Sequence, residues 1–150
     1  MMPSCLFHPK APTMPQYQIT LNQAYQKPVE QVFDVLADHN QLARVFGVPI
    51  KRIKDGQAGV NGVGSVRRIG AGPVAVEETV TALEANKLIA YRITKGGAPM
   101  SQHRGEIRFE RTPTGCTVNW QIQFQMPPVL GGIVRSVLEG GIAKGLRGLA

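Results

Sequence analysis

Four stretches of the chain alternate apolar and polar residues with a period of two: Val74 to Glu84, Lys87 to Thr94, Ser101 to Thr112 and Cys116 to Gln125. A period of two is the pattern of a β-strand with one buried face. The links between them, "EAN", "KGGAP" and "PTG", are short and rich in turn residues. A parallel pair of strands needs a long crossover, so strands joined this tightly run antiparallel.

The rest of the chain is built around this sheet. "YQITLNQAY", from Tyr17 to Tyr25, alternates in the same way and predicts a first strand. Pro28 then suits a first helical turn. Val29, Val32, Phe33 and Leu36 follow i, i+3, i+4, i+7 spacing, which predicts an amphipathic helix. Asp38 or Asn40 can cap a second short helix carrying Leu42, Val45 and Phe46. "PIKRIKDG" reads as a short strand, and "GVNGVGSVRRIG", from Gly59 to Gly70, as a glycine-rich turn feeding another. The stretch from Pro128 to Ala150 predicts a closing helix roughly 34 Å long.

The expected class is α+β: a curved antiparallel sheet of about six to seven strands wrapped around a long C-terminal helix, with two short helices after the first strand. Sheet and helix each bury an apolar face against the other. A chain of 150 residues with 43% hydrophobic content suits one such domain, expected over 16–150. Residues 1–15 carry Pro3, Pro9, Pro12 and Pro15 and read as a flexible extension, with Met14 as an alternative start.

Several function classes are set aside. The net charge is +7, but Lys and Arg are scattered and no basic run exceeds two residues, which argues against a nucleic-acid groove. No stretch approaches 18 apolar residues, so no membrane-spanning helix is expected. The N-terminal segment lacks the apolar core of a signal peptide. Cys5 and Cys116 are the two cysteines, and a reducing cytoplasm is the expectation. His8, His39 and His103 lie far apart without metal-ligand spacing, so neither metal nor cofactor is expected. GxSxG is absent. The glycine-rich stretch has Arg67 where the third glycine of GxGxxG would stand, and no GK[ST] ending.

Strand parity selects the inward side chains. Val74, Val76, Glu78, Val80 and Ala82 share one face, which puts Glu78 on an apolar side. His103 shares its face with Gly105, Ile107 and Phe109. Tyr91 goes with Ile89 and Ile93, and Trp120 with Cys116, Val118, Ile122 and Phe124. Counting back from Ile69 turns Arg67 inward, although a bulge near the glycines would flip it. An Arg67–Glu78 pair would satisfy both charges and leave Arg67 able to hold a ligand carboxylate, enolate or phenol oxygen. His103 could move a proton near neutral pH. The other reading makes the pair purely structural and has His103 donate to a backbone carbonyl. On the closing helix, Leu130, Val134, Val137 and Leu138 share an arc with Gly141, Gly145 and Gly148. Those glycines either let the helix pack close to the sheet or leave volume for a ligand.

Taken with the order of elements, "KPVEQVFDVLADHNQL", "GVGSVRRI", "VEETVTALEANKLIAYRI" and "HRGEIRFERTPTGCTVNW" resemble the polyketide cyclase/dehydrase-like branch of the START-related (SRPBCC, helix-grip) superfamily. The resemblance covers roughly Tyr17 to Ala150 and favours the inward choice of Arg67. It implies a cavity between sheet and long helix that holds an apolar or aromatic small molecule, on the order of 300–1,000 Å³. Arg67, Glu78, Tyr91, His103, Trp120, Val134, Leu138 and Gly141 are the expected lining. If there is chemistry, of the cyclase/dehydrase kind, Arg67 would stabilise an enolate and Glu78 or His103 would shuttle protons. A carrier without chemistry and a protein-interaction module are the alternatives, and monomer and homodimer both stay open.

Overall fold

The structure is a computed structural model that describes residues 14–150. The expectations for the N-terminal extension, Cys5 and His8 therefore fall outside the described residues, apart from Met14 and Pro15. The elements follow the expected order. Strand β1 spans Gln16–Tyr25, helix α1 Val29–Ala37, helix α2 His39–Phe46, strand β2 Ile50–Lys54 and strand β3 Val66–Ile69. Strands β4 (Val76–Glu84), β5 (Leu88–Lys95), β6 (Ser101–Thr112) and β7 (Gly115–Gln125) follow, and helix α3 (Leu130–Gly148) closes the chain.

All seven strands form one sheet in the order β1-β7-β6-β5-β4-β3-β2, with every pair antiparallel. The first strand thus lies beside the last, joined over ten residue pairs from Gln16↔Gln125 to Tyr25↔Cys116. Along β7 the burial alternates without a break, with Cys116, Val118, Trp120, Ile122 and Phe124 all buried. The inner face of the sheet, α1 and α2 enclose the core, with Phe33 of α1 edge-to-face on Phe109 at 5.1 Å.

Two boundaries move from their expected places. Strand β4 begins at Val76 because Gly70 and Gly72 take positive φ (85° and 68°) and turn the chain through a short 3-10 segment at Gly72–Val74. Val74 therefore leaves the apolar face and lies 84% exposed. Helix α3 starts at Leu130, two residues after Pro128, and at 19 residues is about 28 Å long. Asp38 caps α2, accepting from the Asn40 amide at 3.0 Å.

The glycine-rich stretch joins β2 to β3 as a turn. A Cβ on Gly56 would meet the Gly59 carbonyl oxygen at 2.5 Å, so the loop closes only without one. Beyond it, Gly64 and Ser65 exchange backbone hydrogen bonds with Val80 and lock the entry to β3. Parity counted from Ile69 holds through Ser65, and both Arg67 and Ser65 are buried.

Helix α3 packs on the core through Val134, Leu138 and Ile142 and is anchored near both ends. Gly131 lies directly against the Tyr17 ring. Near the C-terminus, Gly145 sits on Phe46 of α2, the Tyr25 hydroxyl donates to the Leu146 carbonyl at 2.7 Å, and Lys27 Nζ donates to that of Leu149. Helix C-termini leave carbonyls unpaired, and these two side chains meet that need. Between the anchors, Ile133 and Val137 are 57% and 67% exposed, and a Cβ on Gly141 would touch nothing within 4 Å.

Candidate functional site

A cavity of about 250 Å³ lies between α2, the inner face of the sheet and the middle of α3. Its walls are mostly apolar: Leu42 and Phe46 of α2, Ile50, Ile69 and Ile122 of the sheet, and Leu138 and Ile142 of α3. Val48 and Val137 line it while remaining exposed, so they mark its mouth. It is smaller than the expected range because Phe46 and Trp120, edge-to-face at 5.6 Å, fill part of the space.

Arg67, Glu78, Tyr91, His103, Trp120, Leu138 and Gly141 all line this one cavity. Val134 does not: it packs against the core, about 60° around the helix from Val137. The two interpretations of the α3 glycines divide between positions. Gly141 borders open volume, whereas Gly145 is filled by Phe46, whose ring a Cβ would meet at 2.5 Å.

One end of the cavity is polar, and its groups form a chain. Arg67 Nε donates to Glu78 Oε2 at 2.8 Å, and Nη2 lies 2.7 Å from the same oxygen, closing the ion pair. The pair follows from register, since Arg67 on β3 stands directly opposite Glu78 on β4. Arg67 Nη1 reaches His39 Nδ1 at 3.4 Å, and His39 Nε2 lies 2.8 Å from Ser65 Oγ. Arginine only donates, so His39 accepts at Nδ1 and donates from Nε2 to the serine. The guanidinium also lies 4.6 Å from the centre of the Tyr91 ring, a cation–π contact. Trp120 Nε1 donates to the Tyr91 hydroxyl at 2.8 Å.

These surroundings hold the histidines neutral. Burial, aided by the charges of Arg67 and Arg52, holds the His39 imidazole down at about 4. Burial also lowers His103, with Arg67 adding to the effect and the Glu78 charge opposing it. The Tyr91 phenol is pushed up by burial and by the Glu78 charge.

His103 makes contacts that differ from those of the purely structural reading. It does not donate to a backbone carbonyl; its Nδ1 accepts the Ile93 amide proton at 3.1 Å. Neutral His103 therefore carries its proton on Nε2, which faces Glu78 Oε1 at 3.9 Å. Taking up a second proton would place it at Nδ1, against the Ile93 N–H. In this arrangement the Nε2 proton of neutral His103 points towards Glu78 at the cavity wall.

Sequence reasoning missed His39 and Ser65 as partners of Arg67. The signal was present: His39, Leu42 and Phe46 stand at i, i+3, i+7, which puts the histidine on the apolar face of α2. Ser65 shares the parity of Arg67. Two wider hollows open on other parts of the sheet surface. One is bordered by Arg92, Arg104, Glu106, Gln121 and Gln123, the other by Glu84, Lys87, Arg108, Glu110 and Arg111, all solvated polar groups. Among the described residues no group of His, Cys, Asp and Glu could hold a metal, and no helix is long and apolar enough to cross a membrane.

No curated protein matches the sequence. Solved structures match the fold. Norcoclaurine synthase from Thalictrum flavum, solved in complex with dopamine and hydroxybenzaldehyde, aligns with a TM-score of 0.66 at 14% identity, covering 91% of this chain and 87% of that one. CalU16 from Micromonospora echinospora aligns with a TM-score of 0.63 at 14% identity, covering 85% and 72%. Protein MLL2253 from Mesorhizobium loti aligns with a TM-score of 0.64 at 15% identity, covering 87% and 95%. At such identities the likeness is one of fold, the helix-grip architecture expected from the sequence. A family model described as polyketide cyclase / dehydrase and lipid transport matches residues 19–150, with the cavity and its polar end inside the match, and the chain belongs to that family.

Proposed function

We propose that this protein binds an apolar or aromatic small molecule in the cavity between sheet and α3. The observation that carries the reading is the composition of the cavity, with apolar walls on most sides and one polar end on β3, β4 and β6. Small-molecule sites commonly combine an apolar lining with a few placed polar groups. The Trp120 and Phe46 rings suit an aromatic or flat aliphatic body. The family description, which includes lipid transport, and a fold neighbour solved with two aromatic molecules agree with this choice.

A binder is favoured over a cyclase/dehydrase-type enzyme by the state of the polar groups. Proton shuttling needs a group with a free lone pair and a proton affinity near the working pH. His103 Nδ1 already accepts from Ile93, and Arg67 already serves Glu78 and His39. Of the three candidates only Glu78, through Oε1, keeps a free lone pair, one group where proton shuttling between two sites of a substrate needs two. Native mass spectrometry of the purified protein tests the reading. The expected result is a co-purified apolar species of low mass, lost in a Gly141→Trp variant that fills the cavity. A protein that stays free of adducts and takes up no apolar or aromatic compound when challenged would refute it.

A further inference from the structure

The polar end of the cavity has an unused acceptor. Both contacts from Arg67 converge on Glu78 Oε2. Among the described residues Oε1 takes no hydrogen bond, although Glu78 is 93% buried, being 7% exposed, and lines the cavity. His103 Nε2 stands 3.9 Å from Oε1, too far for a hydrogen bond. The Ile93 amide fixes that nitrogen as a donor. An acceptor and a donor thus stand side by side at the cavity wall, each without a partner there.

The spacing selects what fits between them. One oxygen atom can sit about 2.8 Å from both, because the gap is less than twice that distance. Such an atom must donate to Glu78 Oε1 and accept from His103 Nε2. A hydroxyl does both. A carboxylate cannot donate and would meet the Glu78 charge, while an ammonium cannot accept. Arg67 does not reverse this choice, because its charge is already balanced by Glu78. We infer that the Glu78 Oε1–His103 Nε2 pair is the polar anchor of the cavity and that its ligand is a neutral apolar or aromatic molecule bearing a hydroxyl, a phenol or an alcohol, rather than a carboxylate. The inference rests on the cavity being a ligand site and names the ligand class and the residues that select it.

Trp120 supplies a local probe. It is the single tryptophan of the chain, lines the cavity and donates through its indole N–H to Tyr91, so one indole resonance reports on the site. The full chain, labelled with 15N, is titrated with 2-naphthol, naphthalene and 2-naphthoate, and dissociation constants are read at that resonance. The expected result is that 2-naphthol binds about tenfold more tightly than either of the others, from two added hydrogen bonds, one to a charged group. In His103→Phe the ratio of the naphthalene to the 2-naphthol dissociation constant is expected to fall most of the way to one, whatever the change in either affinity. Equal affinities for all three, or naphthoate binding tightest, would overturn the anchor while leaving the cavity as a ligand site. No shift at Trp120 with any of the three would overturn both. The comparison on the unaltered chain decides the matter even if the variant fails to fold.

Discussion

Arg67 and Glu78 are buried together, with side chains 4% and 9% exposed, and neither tolerates loss of the other. Removing one member of a buried ion pair leaves an uncompensated charge, at a cost of about 3–5 kcal/mol. Arg67→Met alone is therefore expected to lower the free energy of unfolding by that order, read as a lower urea midpoint at unchanged slope. The double variant Arg67→Met, Glu78→Leu should recover most of the loss, since apolar replacement of both partners is often neutral. Ligand affinity in Arg67→Met is thus interpretable only beside its stability. His39 makes a second prediction. Its folded value of about 4 lies below the ordinary 6.5, so the unfolded chain binds more protons between those two pH values. Stability should therefore be full above about pH 6.5 and fall as pH drops towards 4. His103 is shifted in the same direction. Chemical denaturation of His39→Gln at pH 7 and pH 5 should show a smaller difference than the parent chain.

At the scale of elements, α3 carries six glycines in 19 residues, and they do different jobs. Gly141→Ala adds a methyl into open space and removes a helix-interior glycine, so a gain of about 1 kcal/mol is expected. Gly145→Ala pushes a methyl into the Phe46 ring and should destabilise instead, despite the same gain in helix propensity. Thermal unfolding of the two variants side by side checks the contrast; the same sign for both would mean that Phe46 does not seat on the helix. Tyr25→Phe, which deletes the hydroxyl donating to the Leu146 carbonyl, should cost about 1 kcal/mol, the net worth of one hydrogen bond, because the Leu149 amide still donates to that carbonyl.

For the whole molecule, the cavity follows from how α3 is attached. The helix is seated at Gly131 and Gly145 and packs on the core through Val134, Leu138 and Ile142, and the cavity opens beside this stripe, bordered by Gly141 and Val137. A ligand that fills this space binds the folded chain alone and must shift unfolding by mass action. At about 100 times its dissociation constant, 2-naphthol should add about 2.7 kcal/mol, raising the urea midpoint with an unchanged slope.

Much of this arrangement was legible in the sequence. Strand period and short links specified an antiparallel sheet, and parity then turned Glu78, Tyr91, His103 and Trp120 to the same face, because a strand allows only two directions. Arg67 was readable by counting from Ile69, since the chain holds parity back to Ser65. Other features needed the third dimension. Burial of Arg67 brings in His39 from another element, and only the β3–β4 register sets Arg67 opposite Glu78. Sequence parity assigns a side chain to a face but not the donor or acceptor it meets there. That is why only the Ile93 amide across the strand pair sets which ring nitrogen of His103 carries the proton. Likewise a helical wheel groups Val134 with Leu138 and Gly141 with Gly145, while the tilt and anchoring of α3 decide which of each pair borders the cavity.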